Sequence, residues 1–199
     1  MAEGYNIKVV MGDGTMIHTT VTSSSLDVQC FTEEVQGSPI RIAGLDAEWR
    51  PNRKRRTGQN PIAIIHDTGI PHLAVQLPLP LRLHLVGVGI AADAKRLHDD
   101  YNLEVSKVLD LREWAANSPH RPRPELRSAG LKDMALEVMG ARIAQPRQVT
   151  IRARHTNELF SSARSFDWGT PSLSREQVEY ASIDAYISFE IGHLLLTGN

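Results

Sequence analysis

A chain of 199 residues can bury one ordinary core without disulfide or metal staples. With 41% hydrophobic and 23% charged residues, its make-up is that of a globular protein rather than a disordered or fibrous one. A net charge of −1 excludes nucleic-acid attraction by whole-molecule charge, and the single cysteine excludes an internal disulfide. No apolar run approaches the roughly 20 residues of a membrane span, and MAEGYNIKVV shows no secretory leader. An intracellular protein with no membrane partner is expected, and Cys30 reads as a small core residue.

In chain order, YNIKVVM and TMIHTTVT flank GDG, which predicts a hairpin over about residues 5–22. SSSLDVQCFTEEV begins like a helix, a serine cap preceding apolar residues at Leu26, Cys30, Phe31 and Val35. PIRIAGLDAEW is the first core strand, followed by the basic loop RPNRKRRTGQN; PIAIIHD and PHLAVQL form a second hairpin around TGI. LHLVGVGI is a continuous apolar run, the pattern of a strand covered on both faces. AADAKRLHDDYN opens a helix, and VSKVLDLREWA is a strand running into a helical start. The helix AGLKDMALEVMG ends at Gly140. Residues 141–165 read as irregular, and SREQVEYASIDAYISFEIGHLLL as one long amphipathic closing helix. Strands first, then strand–helix alternation, predict an α/β sheet with helices on both faces.

The acids are the conspicuous feature. Asp46 and Glu48 stand i, i+2 in a strand and so project to one side. Tyr180 and Asp184 stand i, i+4 and share a helix face. Asp93 follows LVGVGI at the start of a helix. Singly, Asp184 also reads as an ordinary polar helix residue, and Asp93 as an acid favoured by the helix dipole. The Asp46–Glu48 pair is harder to dismiss, because acids closing so apolar a strand require compensation. Four carboxylates in one pocket repel unless cations hold them. Hard divalent ions such as Mg2+ or Mn2+ take such oxygen ligands, and two of them suit phosphodiester hydrolysis. The eight histidines show no paired metal-ligand spacing.

The ordered set LDAEW, VGVGIAADAKRL and LSREQVEYASIDAYISFEIG resembles the three motifs of the DEDDy 3'-5' exonucleases, the DnaQ-like branch of the ribonuclease H-like superfamily. GLDAEWRPN, GLKDMALEVMG and YASIDAYISFEIG are similar in particular to the Werner syndrome protein exonuclease domain in its stand-alone plant-type form. The likeness runs from about Tyr5 to Leu196 and includes no helicase segment. It implies a ribonuclease H-like mixed sheet with helices on both faces, in a single exonuclease domain over 1–199 whose catalytic core occupies about 26–196.

Carried over position by position, the resemblance makes Asp46, Glu48, Asp93 and Asp184 the ligands of two Mg2+ or Mn2+ ions. Asp46 would bridge both ions, Glu48 would help place the nucleophilic water, and Tyr180 would orient it. Attack on the 3'-terminal phosphodiester would release nucleoside 5'-monophosphates. Trp49 would meet the end of the substrate strand, or equally fill a strand–loop corner. DNA is the substrate the resemblance implies. RNA trimming in the manner of ribonuclease D, or a binding module of the same fold without activity, are the alternatives.

Two features depart from the family pattern. Only residues 78–84 join the third strand to LVGVGI, where members carry a helix. Seven residues reach about 23 Å extended, against a diagonal of roughly 22 Å from an edge strand. The link is taut, so an uncovered patch on one sheet face or a displaced third strand is expected. The stretch QPRQVTIRARHTNELFSSARSFDWGTPS is also longer than the family leads one to expect.

The run RPNRKRR carries Arg50, Arg53, Lys54, Arg55 and Arg56 directly after the acid pair. It reads as a phosphate-backbone contact, as a nuclear localisation signal, or as a solvated loop. The nucleus is accordingly the expected compartment, with the cytoplasm as the alternative.

Overall fold

The computed structural model describes residues 4–22, 24, 26, 27, 30, 42–49, 62–67, 84–101, 107–140 and 172–198. β1 (Tyr5–Val10) and β2 (Met16–Val21) form the expected antiparallel hairpin. Gly14 takes φ +90 in the turn, and Asp13 Oδ1 accepts the Thr15 N–H at 2.9 Å, so the GDG segment closes on itself. The hairpin is a two-stranded sheet of its own. Val9 and Ile17 lie opposite each other and are buried, because that side of the ribbon joins the core around the last helix.

The main sheet has the order β4-β3-β5-β6, with β3 (Ile42–Trp49), β4 (Ile62–Asp67), β5 (His84–Gly87) and β6 (Val108–Asp110). β4 runs antiparallel to β3, while β3, β5 and β6 are mutually parallel neighbours. α1 (Ile90–Tyr101) is the crossover between β5 and β6. α2 (Leu111–Ala116) follows β6 without a break, capped by Asp110, whose side chain accepts the Arg112 N–H.

A 3-10 turn (Pro124–Ser128) leads to α3 (Leu131–Met134), which widens into a π-helical turn (Ala135–Met139) and ends at Gly140 with φ +68. The glycine stop is the predicted one; the π turn is not visible in the sequence. α4 (Arg175–Thr197) carries a complete capping box: Ser174 Oγ accepts the Gln177 N–H at 3.2 Å, and Gln177 Oε1 accepts the Ser174 N–H at 2.9 Å.

α4 is amphipathic as predicted, with a broad buried face. Tyr180 to Ala185, Ile187 to Phe189, and Ile191, Gly192 and Leu195 are buried, while Glu179, Tyr186, Glu190 and His193 are half-buried along one side at three-, four- and seven-residue spacing. It runs between the main sheet and the hairpin, with α2 and the π turn also against it, so only that one stripe is left toward solvent. On β3, Ile42 and Gly44 face α4, while Ala43, Leu45 and Ala47 point the other way and are buried too. β3 is therefore covered on both faces.

Other expectations fare differently. The apolar run LHLVGVGI supplies only four strand residues: Leu85 and Val86 are buried as foreseen, but Gly89 turns the chain with φ +73 and Ile90 already belongs to α1. Cys30 is exposed, not core, and Leu26, one helical turn earlier on the same side, is 67% exposed. Those two positions face outward, so the apolar spacing misled there. The third strand expected over 72–77, the short link at 78–84 except His84, which opens β5, and the long stretch at 145–172 except Ser172 lie outside the described residues. No described helix is long and apolar enough to cross a membrane.

Candidate active site at the β3–α4 contact

β3 and α4 run in opposite directions and match in step. Two residues of strand advance about 6.6 Å and four of helix about 6 Å, so successive inward positions of one meet successive turns of the other. At the lower end, a Cβ built on Gly192 would stand 3.3 Å from Ile42 Cδ1. Further along, one on Gly44 would overlap the Ala185 carbonyl oxygen and lie 2.7 Å from the Phe189 nitrogen. The next inward positions on the strand are Asp46 and Glu48, and the next turn of helix toward its N-terminus brings Asp184 and then Tyr180. Helix backbone touches strand backbone because residue 44 has no side chain.

The third contributor comes from across the sheet. β5 ends at Gly87, in parallel register beyond Gly44↔Val86, and the chain turns at Gly89 into α1, whose first turn carries Asp93. The carboxyl ends of parallel strands are where open α/β sheets form crevices. Three elements far apart in the chain thus deliver acids to one region.

Burial and one another's charges shift their carboxyl groups. Burial, then the charges of Asp184 and Asp93, raise the Asp46 carboxyl well above the ordinary range, although the Ala47 backbone N–H partly offsets them. Glu48 is pushed up to about 9 by burial first, then by Asp46, Asp184 and Asp93. Asp93 rises to about 6 through burial, moderated by the Arg96 guanidinium. Tyr180 is raised by burial, by Asp184, Glu48 and Asp46, and by its hydrogen bond to Asp184. Asp46, Glu48, Asp184 and Tyr180 thus lie within electrostatic reach of one another at the β3–α4 contact, and Asp93 lies within reach of Asp46 and Glu48.

Asp46 Oδ2 is buried and has no hydrogen-bond partner among the described residues. A buried carboxylate oxygen left unsatisfied costs on the order of 1–3 kcal/mol. It is a defect unless something else takes the lone pair. An all-oxygen donor set with an orphaned oxygen at its centre and mutually repelling charges fits a hard divalent cation.

The set is not a closed cage. Among the described residues, no three Asp, Glu, His or Cys side chains converge tightly enough to hold one ion as they stand. Facing carboxylates push one another apart until a cation draws them in.

Two contributors escaped the sequence reading. Gly44 sets the approach of α4, and a lone glycine inside an apolar strand was the available signal. Asp110 and Arg112 form an ion pair at the carboxyl end of β6 that also takes the Gly89 N–H, and nothing in the local sequence announces it. The side chains of Trp49, Arg50, Arg53, Lys54, Arg55 and Arg56 lie outside the described residues.

No family model matches the chain. A curated protein of Arabidopsis thaliana described as a 3'-5' exonuclease is 24% identical over 172 residues, which are 79% of this chain and 54% of that protein. The chain therefore spans about half the length of this curated relative. Among solved structures, Escherichia coli RNase D superposes with a TM-score of 0.63 at 17% identity, over 92% of this chain and 44% of that one. Trypanosoma brucei RNase D gives 0.60 at 14%, over 89% and 64%. Brucella melitensis NrnC with bound Mg2+ gives 0.54 at 14%, over 80% and 73%. At these identities the likeness is one of fold alone, the ribonuclease H-like fold.

Proposed function

We propose that this chain is a metal-dependent 3'-5' exonuclease of the DEDDy type, which shortens nucleic acid from its 3' end and releases nucleoside 5'-monophosphates. The observation that carries the reading is the orphaned, buried Asp46 oxygen at the close β3–α4 contact, where Glu48 and Asp184 are also buried and Tyr180 is hydrogen-bonded to Asp184. The Arabidopsis relative described as a 3'-5' exonuclease supports it, as does the fold shared with RNase D and with an NrnC structure that contains Mg2+.

Asp46, Glu48, Asp93 and Asp184 are the residues that would hold Mg2+ or Mn2+, in a pair of ions as the resemblance implies. Such ions lower the barrier by neutralising charge on the attacking and leaving oxygens. Glu48, beside the Tyr180 phenol, would help place the attacking water, whose proton is released to solvent. Tyr180 donates toward the cluster and orients that water. The water oxygen bonds to phosphorus as the P–O3' bond breaks, the 3' oxygen departs with a proton, and the terminal nucleotide leaves as a 5'-monophosphate.

Arg50, Arg53, Lys54, Arg55 and Arg56 follow the acid pair directly in the chain and are proposed to meet backbone phosphates, with Trp49 against the terminal base. The same basic run has the length of a nuclear address.

DNA is the substrate we propose, on the motif resemblance to the Werner-type exonuclease domain. RNA is the second reading, favoured by the superposition on two structures described as RNase D. The deciding experiment incubates 3'-recessed DNA duplex and single-stranded RNA, each 5'-labelled, with Mg2+ or Mn2+. Laddering from the 3' end that Asp46→Ala and Asp184→Ala both abolish supports the nuclease, and the better substrate settles its class. Binding of either strand without degradation would leave a recognition module on a nuclease fold.

A further inference from the structure

Asp110 is the last residue of β6 and lies in register beside Gly87, the last residue of β5. Its carboxylate is fully engaged. Oδ1 accepts from the Arg112 backbone N–H and from Arg112 Nε, both at 3.0 Å. Oδ2 accepts from Arg112 Nη2 at 2.6 Å and from the Gly89 backbone N–H at 3.1 Å. Gly89 immediately precedes α1 and holds φ +73; its carbonyl accepts the Ala92 N–H at 3.0 Å, the opening bond of that helix. One carboxylate therefore joins the end of one strand to the turn that launches the helix from the next.

We propose that Asp110 is a positioning residue for the acid cluster, holding the Gly89 turn, and through it the first turn of α1, so that Asp93 stays turned toward Asp46 and Glu48. The inference rests on the nuclease reading above.

The need for such a tie is electrostatic. Asp93 faces like charges and is pushed away from them, and a glycine turn is the part of the chain that yields most readily. The buried side chains of Ile90 and Leu97 anchor α1 against the sheet, and the Asp110 bond adds a hold at the turn before it. A bidentate guanidinium–carboxylate pair is directional, and its fork fixes the Asp110 oxygen that receives the Gly89 N–H. Lys at 112 would supply the charge without the fork.

The test uses Asp110→Asn and Arg112→Ala in the full chain. The amide keeps the shape of residue 110 but turns an NH2 toward one of its two donor sets. Arg112→Ala leaves the Gly89 bond and removes the fork. Hydrogen exchange of the segment 88–96 is read with no metal present. Mg2+ titrations then follow both the melting temperature and 3'-end degradation of a labelled oligonucleotide.

Asp110→Asn is expected to speed exchange in 88–96 but not in α4, and to raise the Mg2+ concentration for half-maximal response about tenfold. The KM for oligonucleotide should stay within about twofold, since the acid cluster rather than strand binding is affected. Arg112→Ala should move the same readouts less, and Arg112→Lys should recover little. If Asp110→Asn fails to fold, the Arg112 variants decide by the same readouts.

Unchanged exchange in 88–96 overturns the proposal, and so does looser exchange with a wild-type Mg2+ response, which would make the tie one of stability alone. A wild-type protein with neither degradation nor a metal-induced melting shift removes the nuclease reading, and the positioning role falls with it. A responsive wild type whose variants respond equally removes the positioning role only.

Discussion

Gly44 of β3 and Ala185 of α4 meet backbone to side-chain-less backbone: a Cβ on the glycine would overlap the Ala185 carbonyl oxygen. Asp184 and Asp46 each sit within two residues of that contact, so its closeness sets how near the two acids come. Gly44→Ala should destabilise the fold by roughly 3 kcal/mol, toward the upper end of core overpacking, because helix backbone cannot rotate away as a side chain can. Urea unfolding measures the loss. Residual folded protein should respond more weakly to Mg2+, and a substitution tolerated within about 0.5 kcal/mol would show that the helix is free to lift.

The acid cluster predicts an inverted pH profile for the metal-free protein. Asp93 near 6 and Glu48 near 9 keep protons that the same groups release at about 4 in the unfolded chain. Their contribution to stability is complete below pH about 4 and is lost as pH rises through those folded values. With EDTA present, the melting temperature should fall between pH 5 and 9. Millimolar Mg2+ or Mn2+ should raise it most at the alkaline end, where the carboxylates are charged and bind only in the folded state. A metal-free profile that climbs over this range, or no metal shift at pH 8, would contradict the clustering.

Glu48→Gln separates function from stability at one position. The amide cannot ionise, so it folds without the cost of taking up the proton that Glu48, near 9 in the folded protein, must hold at pH 8. In metal-free buffer at pH 8 it should stabilise by on the order of 2 kcal/mol and abolish degradation. Thermal melts and the end-labelled assay give the two answers independently. A destabilised variant would mean that Glu48 makes native contacts worth more than its repulsion costs.

Tyr180→Phe removes the phenol that hydrogen-bonds Asp184 and leaves the ring in its buried place. Turnover should drop by about 10- to 100-fold, the scale of a lost proton-handling or orienting group, while the Mg2+-induced melting shift persists. A shift lost along with turnover would place the tyrosine among the groups that hold the ion.

The hairpin is anchored to the same helix by a buried hydroxyl pair, Thr19 Oγ1 and Ser182 Oγ, 3.0 Å apart. Thr19→Val or Ser182→Ala alone should cost about 1–2 kcal/mol, since each strands its partner in the core. The double variant should cost less than the sum. Chemical denaturation of the four proteins gives the coupling; additivity within about 0.3 kcal/mol would mean that the bond contributes nothing net.

The sequence by itself determined on what kind of element each candidate residue sits. Alternation within IAGLDAEW placed Asp46 and Glu48 on one side of a strand, and four-residue spacing put Tyr180 and Asp184 on one side of a helix, because these periodicities are local properties of the backbone. Local turn and cap chemistry likewise announced the GDG hairpin and the stop at Gly140. Only the tertiary structure decided what those faces meet. How much of a helix is covered depends on how many elements surround it, so α4 turned out buried on all but one side while Leu26 and Cys30 faced outward. The closeness of Gly44 to Ala185, and the reach of Asp110 to a turn 21 residues earlier, join parts of the chain whose separation no local pattern encodes. Long-range contacts of that kind arise when the sheet closes, and through them the shifted protonation of the acids was set.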